Sequence, residues 1–196
     1  MFLPTSIILP VIIVSGQRTG STILLHDIQN QLNLEKMFNE PDTNEQYDEF
    51  LSYIKTNNNY IVKFHAHHYN YYQDLKSIID SKKCFLIRIQ RRDIVAQCAS
   101  LYIARKREFK FMYDNLDLNN SSFMNNIDID PAGIRQAIND TSNRNKILKA
   151  FPAKFDADLY YEDLKFSDNL IKTTKPANYL QLKKIIEIFL NSQKGK

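Results

Sequence analysis

The first strongly apolar stretch inside the chain is Val11 to Ser15 (VIIVS), a continuous run set between Pro10 and Gly16. Such a run suits a strand covered on both faces, because neither face needs polar residues to meet water. From Thr22 to Leu32 the spacing changes to that of a helix, through Ile23, Leu24, Ile28 and Leu32. The same reading places helices over Glu45 to Lys55 and Asn70 to Asp80, and strands over Tyr60 to His65 (YIVKFH) and Cys84 to Ile89 (CFLIRI). Asp93 suits the N-cap of the longest helix, which is expected to run to about Phe111. Asn115 to Asp130 is rich in Asn, Ser and Asp without periodicity and reads as a loop. Pro131 belongs in the first turn of a helix reaching Phe151, where its missing N–H is not needed. Asp158 to Tyr161 is a further strand and Tyr179 to Asn191 a final amphipathic helix. Strands alternating with helices over the whole length predict an α/β fold: a single three-layer domain over residues 1–196, with a parallel sheet of four to five strands flanked by helices.

Composition fits that class. The 196 residues are 43% hydrophobic and 24% charged, enough to bury a sizeable core without disulfides or a structural metal. Cys84 and Cys98 form no CxxC pair and sit in apolar runs, so they read as buried thiols of a reducing, cytoplasmic setting. No apolar segment reaches the roughly 18 to 20 residues of a membrane span. The opening MFLPTSIILPVIIV lacks a basic n-region and is broken by prolines, so it reads as the lead-in to a buried strand rather than a signal peptide. A net charge of +4 is too small and too dispersed to argue for nucleic acid, but it suits a small polyanionic ligand.

In parallel α/β sheets ligands bind at the carboxyl ends of the strands, and three strand ends here carry polar clusters, GQRTGST, HAHH and QRRD. In SGQRTGST (Ser15 to Thr22) the backbone N–H groups of a glycine-containing turn and of a helix N-terminus converge, with Gln17, Arg18, Thr19, Gly20, Ser21 and Thr22 as candidate anion-binding residues. The loop differs from a nucleotide triphosphatase P-loop: the glycine spacing is one residue short and no lysine precedes the hydroxyl pair. At the end of the Cys84 to Ile89 strand, Arg91 or Arg92 can fold over the start of the next helix. Ser100 lies about 10 Å along that helix at 1.5 Å per residue, so one of the arginines with Ser100 is a candidate second phosphate site. Three of the four histidines fall within His65 to His68. They lack Cys or carboxylate partners at zinc spacing, and no metal is expected.

Taken in order, SGQRTGST, KFHAHH, RRDIVAQCAS and LYYEDL resemble the sulfotransferases that use 3′-phosphoadenosine 5′-phosphosulfate (PAPS), and most of all the bacterial carbohydrate sulfotransferases. The resemblance runs from residue 11 to about 164 and implies a P-loop-like sulfotransferase fold. It implies that the first loop grips the 5′-phosphosulfate and that Arg91 or Arg92, with Ser100, binds the 3′-phosphate. The implied reaction moves a sulfuryl group to a hydroxyl of a carbohydrate or other small-molecule acceptor, leaving adenosine 3′,5′-bisphosphate, without metal. Two residues compete for the general base: Glu40 in MFNEPD, matching a Glu-Pro of the bacterial group, and His65, matching the K-x-H of cytosolic sulfotransferases. Lys63 and Arg18 are candidate cations for the leaving phosphate, and Lys63, His65 and His67 share one face of an extended strand. His67 and Tyr69, with Tyr71 and Tyr72, are candidates for holding the acceptor, and Lys172 or Lys175 for a basic closing loop. Two other readings stay open, a P-loop kinase for a small metabolite and a catalytically degenerate nucleotide-binding domain.

Overall fold

The structure, a computed structural model, describes residues 10–41, 43–69, 73–107, 125–164 and 175–194. The described chain forms two compact units. One comprises Met1–Arg92 with Arg144–Leu170, the other Asp93–Asn143 with Ile171–Lys196.

The first unit is built on five parallel strands, β1 (Val11–Ser15), β2 (Lys36–Asn39), β3 (Tyr60–His65), β4 (Phe85–Gln90) and β5 (Ala157–Tyr160), in the order β2-β3-β1-β4-β5. The pleat sends alternate residues of each strand to opposite faces. Val11, Ile13, Ile61, Ile87 and Ile89 pack with Leu24, Leu25 and Ile28 of helix α1 (Ser21–Leu32). On the opposite face Ile12, Val14, Val62, Phe64 and Leu86 pack with Phe50 of α2 (Asn44–Ile54) and with Leu75 and Ile79 of α3 (Gln73–Asp80). Leu148 and Phe151 join this second cluster. β1 is fully buried on both sides, as its unbroken apolar run requires.

β2 is the element that hydrophobic pattern alone does not reveal. KMFN is four residues long, has one buried side chain and lies at the sheet edge, so it carries neither an apolar run nor a clear alternation. It pairs with β3 in the register Phe38↔Val62 and Asn39↔Lys63. The other elements fall within a few residues of their expected limits. α1 starts one residue early because Gly20, with φ 77, supplies the left-handed N-cap and no side chain caps the helix.

The second unit is helical. It contains α4 (Ile94–Lys106), the first part of α5 (Pro131–Lys149) and α6 (Tyr179–Lys194). Asp93 caps α4 by accepting from the Ala96 N–H at 2.8 Å, and Cys98, Leu101, Ile134, Ile138, Leu182 and Ile186 form its core. The expected continuation of α4 to Phe111, and the Asn-rich stretch up to residue 124, lie outside the described residues. Both cysteines are buried and free. No helix among the described residues is long and apolar enough to cross a membrane.

Phe50 is fully buried and meets Phe38 edge-on at 5.1 Å and Tyr60 at 6.0 Å. Phe50→Ala is expected to lower unfolding free energy in urea by about 3 to 5 kcal/mol. A loss below about 1 kcal/mol would show that the aromatic cluster is not closely packed.

Candidate functional site

The carboxyl ends of β1, β2 and β3 bring together residues that are far apart in sequence. Lys63 and Ile13 are register partners, as are His65 and Ser15, so Lys63, His65 and Ser15 sit side by side at the β1–β3 border. They share the sheet face that carries Ile13 and Ile61, the face covered by α1. The register of β2 sets Asn39 opposite Lys63, and Glu40 follows, its N–H donating to the Lys63 carbonyl at 2.9 Å. Glu40 has φ 52, a left-handed conformation that turns the chain at the strand end.

Lys63 is 2% exposed, and a buried lysine must be paired. Its amino group donates to Thr22 Oγ1 and Asn39 Oδ1, each at 3.0 Å, and forms an ion pair with Glu40 Oε1. The same Glu40 oxygen lies 3.0 Å from His65 Nε2, and His65 Nδ1 lies 3.1 Å from Ser15 Oγ. Burial pushes the Glu40 carboxyl up, but the hydrogen bond from His65 and the charge and hydrogen bond of Lys63 outweigh it and hold the group well below the ordinary carboxylate range. Burial dominates at His65 and lowers it below the usual imidazole value, against the pull of Glu40. The pair therefore rests at neutral pH as an ionised Glu40 and a neutral His65. In that state Nε2–H donates to Glu40 and Nδ1 accepts the Ser15 hydroxyl. The Glu40 side chain is 28% exposed against 9% for His65, so Glu40 is the member that a ligand can reach.

His65, His67 and His68 form a ring cluster, with centroids 5.7 Å apart for His65–His67, stacked, and 4.1 Å for His67–His68. Burial, then the neighbouring His68, Arg144 and His65, press His67 down to about 4. Among the described residues no group of three or more His, Cys, Asp and Glu is arranged to hold a metal ion.

Along the SGQRTGST loop, Arg18 (φ 58) and Gly20 (φ 77) both adopt left-handed conformations. Thr19 is fully buried and donates its hydroxyl to the Gly16 carbonyl at 3.1 Å, which closes the turn. Gln17, Arg18 and Thr22 are half-buried, and Ser21 is buried at the head of α1. Arg91, one residue beyond β4, donates from Nη1 to the Arg18 carbonyl at 3.2 Å. Arg92 points elsewhere: it makes a bidentate pair with Asp163 (Nη2 to Oδ2 2.7 Å) and lies 3.9 Å over the Tyr160 ring. Of the two arginines, Arg91 is therefore the one joined to the SGQRTGST loop.

Of the other expected site residues, Ser100 and Lys175 belong to the second unit and Tyr69 packs in the core of the first. Ser100 is half-buried on α4 in the second unit. Tyr69, expected to hold an acceptor, is placed in the core on the α2–α3 face, 6% exposed. Its hydroxyl donates to Asp80 at 2.8 Å and its ring meets Phe151 at 4.7 Å, so the aromatic surface that could stack on a ligand is spent on packing. Tyr71, Tyr72 and Lys172 lie outside the described residues, and Lys175 sits over the Tyr179 ring at 4.9 Å. Sequence reading passed over Ser15, Asn39 and Tyr161. Ser15 enters the sequence reading only as the strand end that opens SGQRTGST, and Asn39 becomes visible as a partner only once β2 is known.

The acid–imidazole pair gives a pH signature. Folded His67 and His65 hold protons less tightly than free imidazole at 6.5, and folded Glu40 less tightly than its free value of 4.5. The folded chain thus binds fewer protons than the unfolded one, and stability rises with pH in this range. The histidine contribution is complete above about pH 6.5 and is lost as pH falls toward 4, and the Glu40 contribution is lost below about 4.5. Urea midpoints are expected to fall between about pH 7 and pH 4, with a shallower fall in His67→Gln. A flat wild-type profile would overturn the assignment.

No protein-family model matches the chain, and no curated protein is significantly similar to it.

Proposed function

We propose that the first unit binds the phosphosulfate end of PAPS at the SGQRTGST loop and uses Glu40 as general base for sulfuryl transfer to an acceptor hydroxyl. The observation that carries this reading is the position of Lys63. The loop lacks a lysine of its own, yet Lys63 of β3 sets its amino group 3.0 Å from Thr22 Oγ1 at the head of α1. A buried cation thus stands beside the first turn of α1, and its charge adds to that of the helix N-terminus, the pairing that charge build-up on a leaving phosphate calls for.

In this reading the donor supplies an activated sulfuryl group. The bond from the acceptor oxygen to sulfur forms as the bond from sulfur to the phosphate oxygen breaks, and the hydroxyl proton passes to Glu40. A carboxylate held ionised by Lys63 and His65 is a weak base. The acceptor hydroxyl becomes strongly acidic only as its oxygen bonds to sulfur, so proton transfer comes late and a weak base suffices. His65 and Ser15 fix the carboxylate from behind. Arg18 and Arg91 are the remaining cations of the loop, and the sequence resemblance alone assigns the 3′-phosphate to Ser100 with one of the two arginines. The acceptor is a glycan or other small hydroxyl compound, with His67 on the acceptor side.

Lys63 beside Thr22 also favours a second reading, phosphoryl transfer from ATP with the amine of β3 standing where a P-loop lysine would. Calorimetry separates the two. Adenosine 3′,5′-bisphosphate is expected to bind more tightly than about 1 mM, and Arg18→Ala and Lys63→Met to weaken it by about 1 to 3 kcal/mol each. Absence of binding, with magnesium-dependent ATP turnover instead, would replace the sulfotransferase reading by the kinase one. In sulfate-transfer assays over a panel of sugars and phenols, Glu40→Gln is expected to lower kcat by about 10²- to 10⁴-fold with bisphosphate binding kept. An equal loss in His65→Asn alone, with Glu40→Gln fully active, would move the base to His65.

A further inference from the structure

Tyr161 follows β5 just as Arg91 follows β4, and the register Gln90↔Tyr160 sets the two residues side by side beyond the sheet. The Arg91 guanidinium lies 4.7 Å from the Tyr161 ring centroid, and its Nε is 3.8 Å from Glu162 Oε1. The other side of this arrangement is the anion loop. A Cβ placed on Gly20 would stand 2.2 Å from Tyr161 Cδ2 and 2.5 Å from Cε2, so the ring rests directly on the bare Cα of the α1 N-cap. Tyr161 belongs to none of the three hydrophobic clusters of the described residues. Its ring meets a loop glycine and a loop-bound arginine.

These contacts have a directional consequence. Arg91 Nη1 holds the Arg18 carbonyl, and in a trans peptide the Thr19 N–H points the opposite way. Fixing Arg91 therefore fixes the direction of a loop amide. The ring on Gly20 limits the backbone of the N-cap, whose φ of 77 a glycine would otherwise leave readily.

We propose that Tyr161 is a positioning residue for the anion loop: its ring holds Gly20 on one side and orients Arg91 toward the Arg18 carbonyl on the other, so that the loop is set before an anion arrives. The inference rests on the anion-loop reading of Proposed function, and it deepens that reading by naming what pre-shapes the loop. Tyr161 itself touches no reacting group and acts through Arg91 and Gly20.

Amide hydrogen exchange of residues 17–22 in the ligand-free protein tests it without requiring that the nucleotide assignment be right. Tyr161→Ala is expected to speed exchange of these amides by about tenfold or more, with the β1 amides unchanged, while Tyr161→Phe, which keeps the ring, stays within about twofold of wild type. In an Arg91→Ala background, adding Tyr161→Ala is expected to bring less further change than it does alone, because part of its action passes through the missing guanidinium. Unchanged loop exchange in Tyr161→Ala, equal acceleration in Tyr161→Phe, or full additivity with Arg91→Ala would each overturn the proposal. If Tyr161→Ala unfolds, the Phe variant and the Arg91→Ala background with Tyr161→Leu carry the same comparison. Calorimetry on the same variants then separates the two claims. Wild-type protein that ignores the bisphosphate while the exchange pattern holds would sink the nucleotide reading alone, and tight bisphosphate binding undiminished in Tyr161→Ala would sink the positioning role alone.

Discussion

The constraint on which the site depends is the burial of Lys63. A lysine 2% exposed in an interior strand of an apolar sheet is costly unless each of its donors finds a partner. Here the partners come from three separate places: Thr22 at the head of α1, Asn39 at the end of β2 and the Glu40 carboxylate. Meeting that need fixes the edge strand against β3, orients Glu40 and ties the anion loop to the sheet. Buried ion pairs of this kind contribute little net stability, because desolvation offsets most of the attraction. Their effect is to specify an arrangement, and the arrangement specified here is a carboxylate and a cation at a helix N-terminus.

The contrast with a nucleotide triphosphatase loop follows from the same residue. In the P-loop motif the lysine belongs to the loop and moves with it. Here the amine is anchored in β3, at a position set by the Ile13↔Lys63 register. A cation held by the sheet cannot follow a moving γ-phosphate; it keeps one position relative to the head of α1. The acid–imidazole–hydroxyl series of Glu40, His65 and Ser15 has the order of a hydrolytic triad, yet Ser15 is fully buried and lies behind the imidazole. The hydroxyl supports the ring, and the exposed end of the series is the carboxylate.

The fold was legible because its strongest signals are local. VIIVS and YIVKFH are runs buried on both faces, FLIRIQ is largely apolar with Arg88 and Gln90 half-buried, and the helices between them carry a clear 3.6-residue spacing. β2 was not legible, since a four-residue edge strand with mixed polarity is defined by its partner rather than by its own pattern. That omission also limited the site. Without β2, Glu40 reads as a loop acid competing with His65. With it, the two are a single hydrogen-bonded unit. Which of Arg91 and Arg92 reaches the SGQRTGST loop was likewise invisible to the pattern, because Arg92 is drawn to Asp163 and Arg91 lies against Tyr161, both brought alongside by the pairing of β4 with β5.

The contact between Gly20 and Tyr161 joins two distant points of the chain through the absence of a single carbon atom. The dependence runs one way: a methyl group gained at position 20 obliges position 161 to surrender its ring, whereas a phenylalanine at 161 leaves the glycine undisturbed. Descendants of this gene should therefore hold the glycine wherever an aromatic residue persists at 161, and that inheritance pattern is written into the geometry whatever chemistry the loop serves.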